Sequence, residues 1–175
     1  MSREKRLWLF IDCVIIIAFT ALDQWTKYLA VTFLKDKPAI PIWEHVLELN
    51  YLENTGAAFG MLSNQKIFIL FIALIFLAIA TYTLIKVPDK KKFRSLHLVL
   101  SFLAAGAIGN MIDRIRLDYV VDFIYFVYID FPIFNVADIY VTVSTIVLIF
   151  LLLFVYKEND LSFLNFKQQK YRELK

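Results

Sequence analysis

At 175 residues, with 60% hydrophobic residues, 20% charged residues and a net charge of +3, the chain is too apolar for an ordinary soluble domain and has the length of one membrane-embedded domain. Its basic residues sit in short clusters between apolar runs, which excludes the one-faced footprint of a nucleic-acid binder. The single cysteine, Cys13, lies in an apolar run, so there is no disulfide framework and no zinc-type spacing.

Arg3, Lys5 and Arg6 precede an apolar run over residues 7–22, the pattern of a signal peptide. No small-residue cleavage site follows, because Asp23, Gln24, Trp25 and Lys27 come next, so the run is expected to stay as a first transmembrane helix over about 7–27. Further spans are expected at 67–85, 96–112 and 136–156, each near the roughly 20 residues that cross a bilayer, with a short tail at 157–175. The expected fold is α-helical and membrane-integral, with four transmembrane helices in one domain. Lys86, Lys90, Lys91, Lys92 and Arg94 fill the loop between spans two and three, and Lys157, Lys167, Lys170, Arg172 and Lys175 follow span four. The positive-inside bias puts both termini in the cytoplasm and residues 28–66 and 113–135 outside, although Lys35, Lys37, Arg114 and Arg116 vote the other way.

Between spans one and two, apolar and polar residues nearly alternate from Ile42 to Leu52, with Pro38 and Pro41 before and Gly56 after. That pattern predicts a small extracytoplasmic β-sheet, a cradle or lid on the membrane surface that includes Trp43. Trp25, Tyr51, Tyr125, Phe126, Tyr128 and Phe131 fit an aromatic belt at the same boundary. Span three ends in Ala104, Ala105, Gly106, Ala107 and Gly109, small residues that let helices approach closely.

Polar residues from five segments converge on the outer boundary: Asp23 and Lys27, Asn54, Asn110 to Arg114, Asp122, and Asn135 with Asp138. No serine, cysteine or histidine arrangement joins them, and His45 and His97 have no partner at metal-ligand spacing, so neither a nucleophilic triad nor a metal is expected. Two carboxylates in a poorly solvated place cannot both ionise cheaply, so Asp122 and Asp138 could share a proton and supply an acid and a base at once. Their titration is coupled, which leaves the base unassigned. Other readings stand beside this one. Asp138 could simply favour the start of a helix, Asn54 could serve a turn before Gly56, and Arg114 could anchor at the interface or pair with Asp113. Asp12, about two turns from Arg6, fits pairing or packing. A small ion- or proton-coupled transporter using paired aspartates is the alternative function, although it predicts ionisable groups at several depths. A non-catalytic assembly protein would need no such pair.

Five blocks carry a resemblance: DQWTK at 23–27, NTGAAFG at 54–60, GNMIDR at 109–114, VVDFI at 120–124 and FNVAD at 134–138. In order and spacing they resemble the bacterial lipoprotein signal peptidase, or type II signal peptidase, family. The resemblance implies an intramembrane aspartyl endopeptidase of the bacterial cytoplasmic membrane. Such an enzyme removes the signal peptide of prolipoproteins by cutting before a diacylglyceryl-modified cysteine. It also implies Asp122 and Asp138 as the catalytic pair near the outer face, Asn54, Asn110, Arg114 and Asn135 as substrate-binding or site-shaping, and Asp23, Lys27, Gly56 and Asp113 as structural. A monomer in membrane lipid is expected, without cofactor, metal or nucleic acid and open to a globomycin-type inhibitor. Two positions depart from the family pattern: Asp118 replaces a usual glycine, and Ile139 a common serine.

Overall fold

The computed structural model describes residues 1–56 and 65–164. Positions 57–60 of the NTGAAFG block and the tail beyond 164 therefore lie outside the described residues. Among the described residues four helices are long and apolar enough to cross a membrane, and a three-stranded sheet sits at one end of their bundle.

Helix α1 (Arg3–Leu34) starts on Ser2, whose hydroxyl accepts from the Lys5 amide at 3.0 Å. Its 32 residues span about 48 Å at 1.5 Å per residue, longer than a bilayer core. The helix thus continues past the expected boundary at 27. No glycine or proline interrupts 28–34, and Ala30 and Leu34 are buried beneath the sheet against Val121 and Phe123.

Strands β1 (Ile40–Trp43) and β2 (Leu47–Asn54) lie in the segment where a small sheet is expected and form an antiparallel hairpin, turning at His45 with φ 59°. Pro41 is tolerated because β1 is an edge strand. The third strand, β3 (Val120–Tyr125), lies in the outer segment 113–135, where the sequence pattern predicts no strand. It pairs antiparallel with β2, placing Leu52 opposite Asp122 and Asn54 opposite Val120.

Helix α2 (Lys66–Lys86) buries only Ala80 and Leu84. Helix α3 (Arg94–Leu117) is central: 56% of its most apolar stretch is buried, against 17% or less in the other three. At Gly106 an added Cβ would lie 2.6 Å from the Ala137 carbonyl oxygen, and at Gly109 it would collide with the Asp23 carboxylate. Close approach at those two points seats α3 against α4 (Val136–Phe150) and α1, the role expected of small residues there. Beyond α4 the chain makes one π-helical turn, Leu151–Val155.

Two acidic side chains pair with partners distant in sequence. Asp12 has the pairing role expected of it, and not with Arg6, which six residues of helix place on another face. Its carboxylate meets His97 Nδ1 at 2.7 Å and accepts from Ser101 Oγ at 3.0 Å, with Trp8 stacked on the imidazole. Asp113 pairs with Lys27 at 3.0 Å rather than with Arg114, because neighbouring helical residues point about 100° apart.

Candidate active site

The carboxylates of Asp122 and Asp138 meet because the chain doubles back between them. The Phe123 and Ile124 amides both donate to the Phe134 carbonyl, at 3.0 and 2.8 Å, and the Phe134 amide returns a bond to Ile124 at 3.0 Å. This clasp sets Asn135, the residue after Phe134, beside the middle of β3. Its Nδ2 then donates to Asp122 Oδ1 at 2.6 Å.

The same asparagine starts α4. Its Oδ1 accepts from the Asp138 amide at 3.0 Å, while its own amide donates to Asp138 Oδ2 at 3.1 Å, a reciprocal capping box. Asp138 does favour the helix start, and it also faces the site. Asn54 Nδ2 donates to Asp122 Oδ2 at 2.9 Å and Asn110 Nδ2 donates to Asp138 Oδ1 at 2.8 Å. Each of the four carboxylate oxygens therefore accepts one N–H, and the two side chains share Asn135.

Asp122 is 1% exposed. Burial is the main reason its pKa is pushed up to about 6, with the nearby Asp138 carboxylate adding to the rise and the Asn54 and Asn135 bonds opposing it. Near neutral pH such a group exchanges its proton readily.

Asn54 accepts from the Gly56 amide at 2.9 Å, so it is both a turn residue and a ligand of Asp122. Arg114 donates to the Gly56 carbonyl at 2.6 Å and to the Asn110 carbonyl at 3.2 Å. Its guanidinium thus ties the end of β2 to α3 and lies in the field of Asp138, Asp122 and Asp113. Asp23 and Lys27 form an ion pair at 2.9 Å, and Asp23 Oδ1 accepts from the Ala137 amide at 2.9 Å. Asp113 Oδ2 accepts from the Val121 amide at 3.2 Å, next to Asp122. The structure brings together the ten residues named for the site from the sequence: Asp23, Lys27, Asn54, Gly56, Asn110, Asp113, Arg114, Asp122, Asn135 and Asp138. It adds Gln24, whose Nε2 donates to Asp113 Oδ1 at 2.8 Å and to the Gly109 carbonyl at 3.2 Å. Its place inside the 23–27 block was the only available signal.

An apolar cavity of about 260 Å³ opens between α2, α3 and α4, lined by Ile69, Leu70, Ala73, Leu103 and Val141, with Asn110 and Arg114 on its polar side. Among the described residues no cluster of histidine, cysteine and carboxylates could hold a metal ion.

The chain has the same architecture as two solved bacterial membrane enzyme structures obtained by the in meso method. One aligns with TM-score 0.75 and 35% identity over 85% of this chain and 92% of that chain; the other gives 0.72 and 34% over 83% and 94%. It is 43% identical over 143 residues to a lipoprotein signal peptidase of Caldanaerobacter subterraneus subsp. tengcongensis, covering 81% of this chain and 95% of that protein. A lipoprotein signal peptidase of Streptococcus thermophilus is 42% identical over 139 residues, covering 79% and 90%. Residues 15–154 match the signal peptidase (SPase) II family, and the chain belongs to that family of membrane peptidases.

Proposed function

We propose that this peptidase is an aspartyl endopeptidase that removes the signal peptide of prolipoproteins by cutting before a diacylglyceryl-modified cysteine, with Asp122 and Asp138 as its catalytic pair. The observation that carries this reading is the shared cradle, in which four amide donors hold two carboxylates and Asn135 bonds both.

One carboxyl of the pair holds a proton and the other is ionised. The ionised one takes a proton from a water as the water oxygen attacks the scissile carbonyl carbon. The protonated one donates to the carbonyl oxygen, giving a neutral gem-diol. Collapse of that intermediate breaks the C–N bond, moves a proton to the leaving amine and restores a singly protonated pair. Amide donors suit this cycle, since they bind either carboxyl without competing for its proton. Which aspartate begins as the base is a property of the coupled pair.

The apolar cavity between α2, α3 and α4 suits a signal peptide that reaches the site from the lipid. Asn110 and Arg114 border its polar side, which supports their reading as substrate-binding or site-shaping residues. The acyl chains can stay in the bilayer, and a globomycin-type inhibitor would occupy the same place. We further propose that the sheet end faces outward and both termini face the cytoplasm of a bacterial inner membrane, in keeping with the basic residues at the other end. Membership of a peptidase family does not favour the transporter alternative.

The test is to express Asp122→Asn and Asp138→Asn separately, confirm membrane insertion, and assay cleavage of a diacylglyceryl-modified prolipoprotein. Cleavage at the unmodified rate by either variant sinks the pair.

A further inference from the structure

The Lys27 ammonium is 3% exposed and touches three oxygens: Asp23 Oδ2 at 2.9 Å, Asp113 Oδ2 at 3.0 Å and Asn110 Oδ1 at 2.9 Å. An ammonium has three protons and no acceptor, so all three are used, and the Asn110 atom that faces it has to be the amide oxygen. Asn135 Nδ2 points a proton at the same oxygen, at 3.1 Å. The Asn110 nitrogen is thereby turned away from Lys27 and toward Asp138, where it donates at 2.8 Å.

Taking the catalytic pair proposed above as given, we propose that Lys27 is a positioning residue for the reaction, fixing the Asn110 amide so that its N–H end, and not its oxygen, meets Asp138. With Lys27 removed, only Asn135 would hold the Asn110 oxygen, through a side chain whose other proton is committed to Asp122. A half-turn of the amide would then set an oxygen against the Asp138 carboxylate, which tolerates that contact only when protonated.

Lys27 itself is held from both sides. Its partner Asp23 also grips the first turn of α4 through the Ala137 amide, and its partner Asp113 grips β3 through the Val121 amide. The charged groups around the site are Asp23 from α1, Asp113 and Arg114 from α3, Asp122 from β3 and Asp138 from α4. The lysine thus joins the elements that carry the two aspartates while setting the polarity of one hydrogen bond.

The experiment compares full-length Lys27→Met, Lys27→Met/Asp113→Asn, Lys27→Arg and Asp138→Asn in membranes. Each is scored for insertion and thermal stability, and for kcat and KM on a synthetic diacylglyceryl-modified prolipoprotein from acid to alkaline pH. The double variant restores the local charge balance, so it separates folding from positioning. We expect Lys27→Met and the double variant to lose about ten- to hundredfold in kcat, the scale of one charged hydrogen bond, with KM little changed and the acid limb of the pH profile displaced. Lys27→Arg, which also only donates, should recover part of the loss. A double variant with the unmodified kcat and pH profile overturns the proposal, because Lys27 would then only neutralise its neighbours. Loss of insertion in both methionine variants overturns it as well, since the lysine would serve the fold alone. Unmodified activity in Asp138→Asn would instead sink the catalytic pair, whatever Lys27 does.

Discussion

Lys66 Nζ lies 2.5 Å from Asp118 Oδ1, joining the first residue of α2 to the residue that ends α3. Asp118 has φ 71°, the left-handed conformation in which a helix commonly finishes and which glycine adopts without cost. The usual family glycine at this position and the aspartate found here therefore answer the same backbone demand, and the aspartate adds an exposed ion pair. Asp118→Gly should keep activity and leave stability within about 1 kcal/mol, since the relieved backbone and the lost surface pair nearly offset each other. Asp118→Val, β-branched in the same conformation, should lower the melting temperature. Thermal unfolding in detergent distinguishes the two.

The buried carboxyl of Asp122 makes stability depend on pH in a stated direction. Its pKa is raised from 3.8 to about 6, so the folded protein holds this proton more tightly than the unfolded chain does. The stabilisation is complete below about pH 4 and is lost as pH rises through about 6, a change on the order of 3 kcal/mol. Melting temperature should fall across that window in the unmodified protein. The Asp122→Asn variant should lack that component of the fall, and a curve identical to the unmodified one would refute the assignment.

Asn135 is fully buried, and its side chain and backbone amide make four hydrogen bonds that serve a helix start, both carboxylates and Asn110. Asn135→Ala should cost about 1 kcal/mol for the lost cap alone. It should also reduce kcat by about a hundredfold or more, because Asp122 and Asn110 each lose a donor. Measured together, an activity loss no larger than the fraction unfolded would show that the residue is only a cap.

His97 tests the other end of the bundle. Removing it as His97→Ala leaves Asp12 buried with Ser101 as its remaining hydrogen-bond partner among the described residues, a loss of about 3–5 kcal/mol if the carboxylate stays charged. The fraction of folded protein should drop while kcat per folded molecule stays the same. A changed kcat would connect this pair to catalysis.

The four helices and the β1–β2 hairpin were legible because each obeys a local period: apolar runs of membrane length, and alternation between Ile42 and Leu52. The strand β3 was not. Val120, Val121, Asp122 and Phe123 are all buried, so the run has no alternation to read. The Asp12–His97 pair was equally hidden, as its members stand 85 residues apart and meet only when α1 packs on α3. The site residues were legible as types gathered at one boundary, but which amide holds which carboxylate depends on the clasp at Phe134. Ile139 is 40% exposed, so the missing family serine lies on an outward face and asks nothing of the site.

The capping box of α4 is closed by Asp138's own carboxylate. Winding of the first turn of the last membrane helix and placement of one proposed catalytic carboxylate are therefore a single local event. In a nascent chain whose final segment has not yet wound, Asp138 would lack its bond to the Asn135 amide, so the proposed activity would arise only as α4 forms.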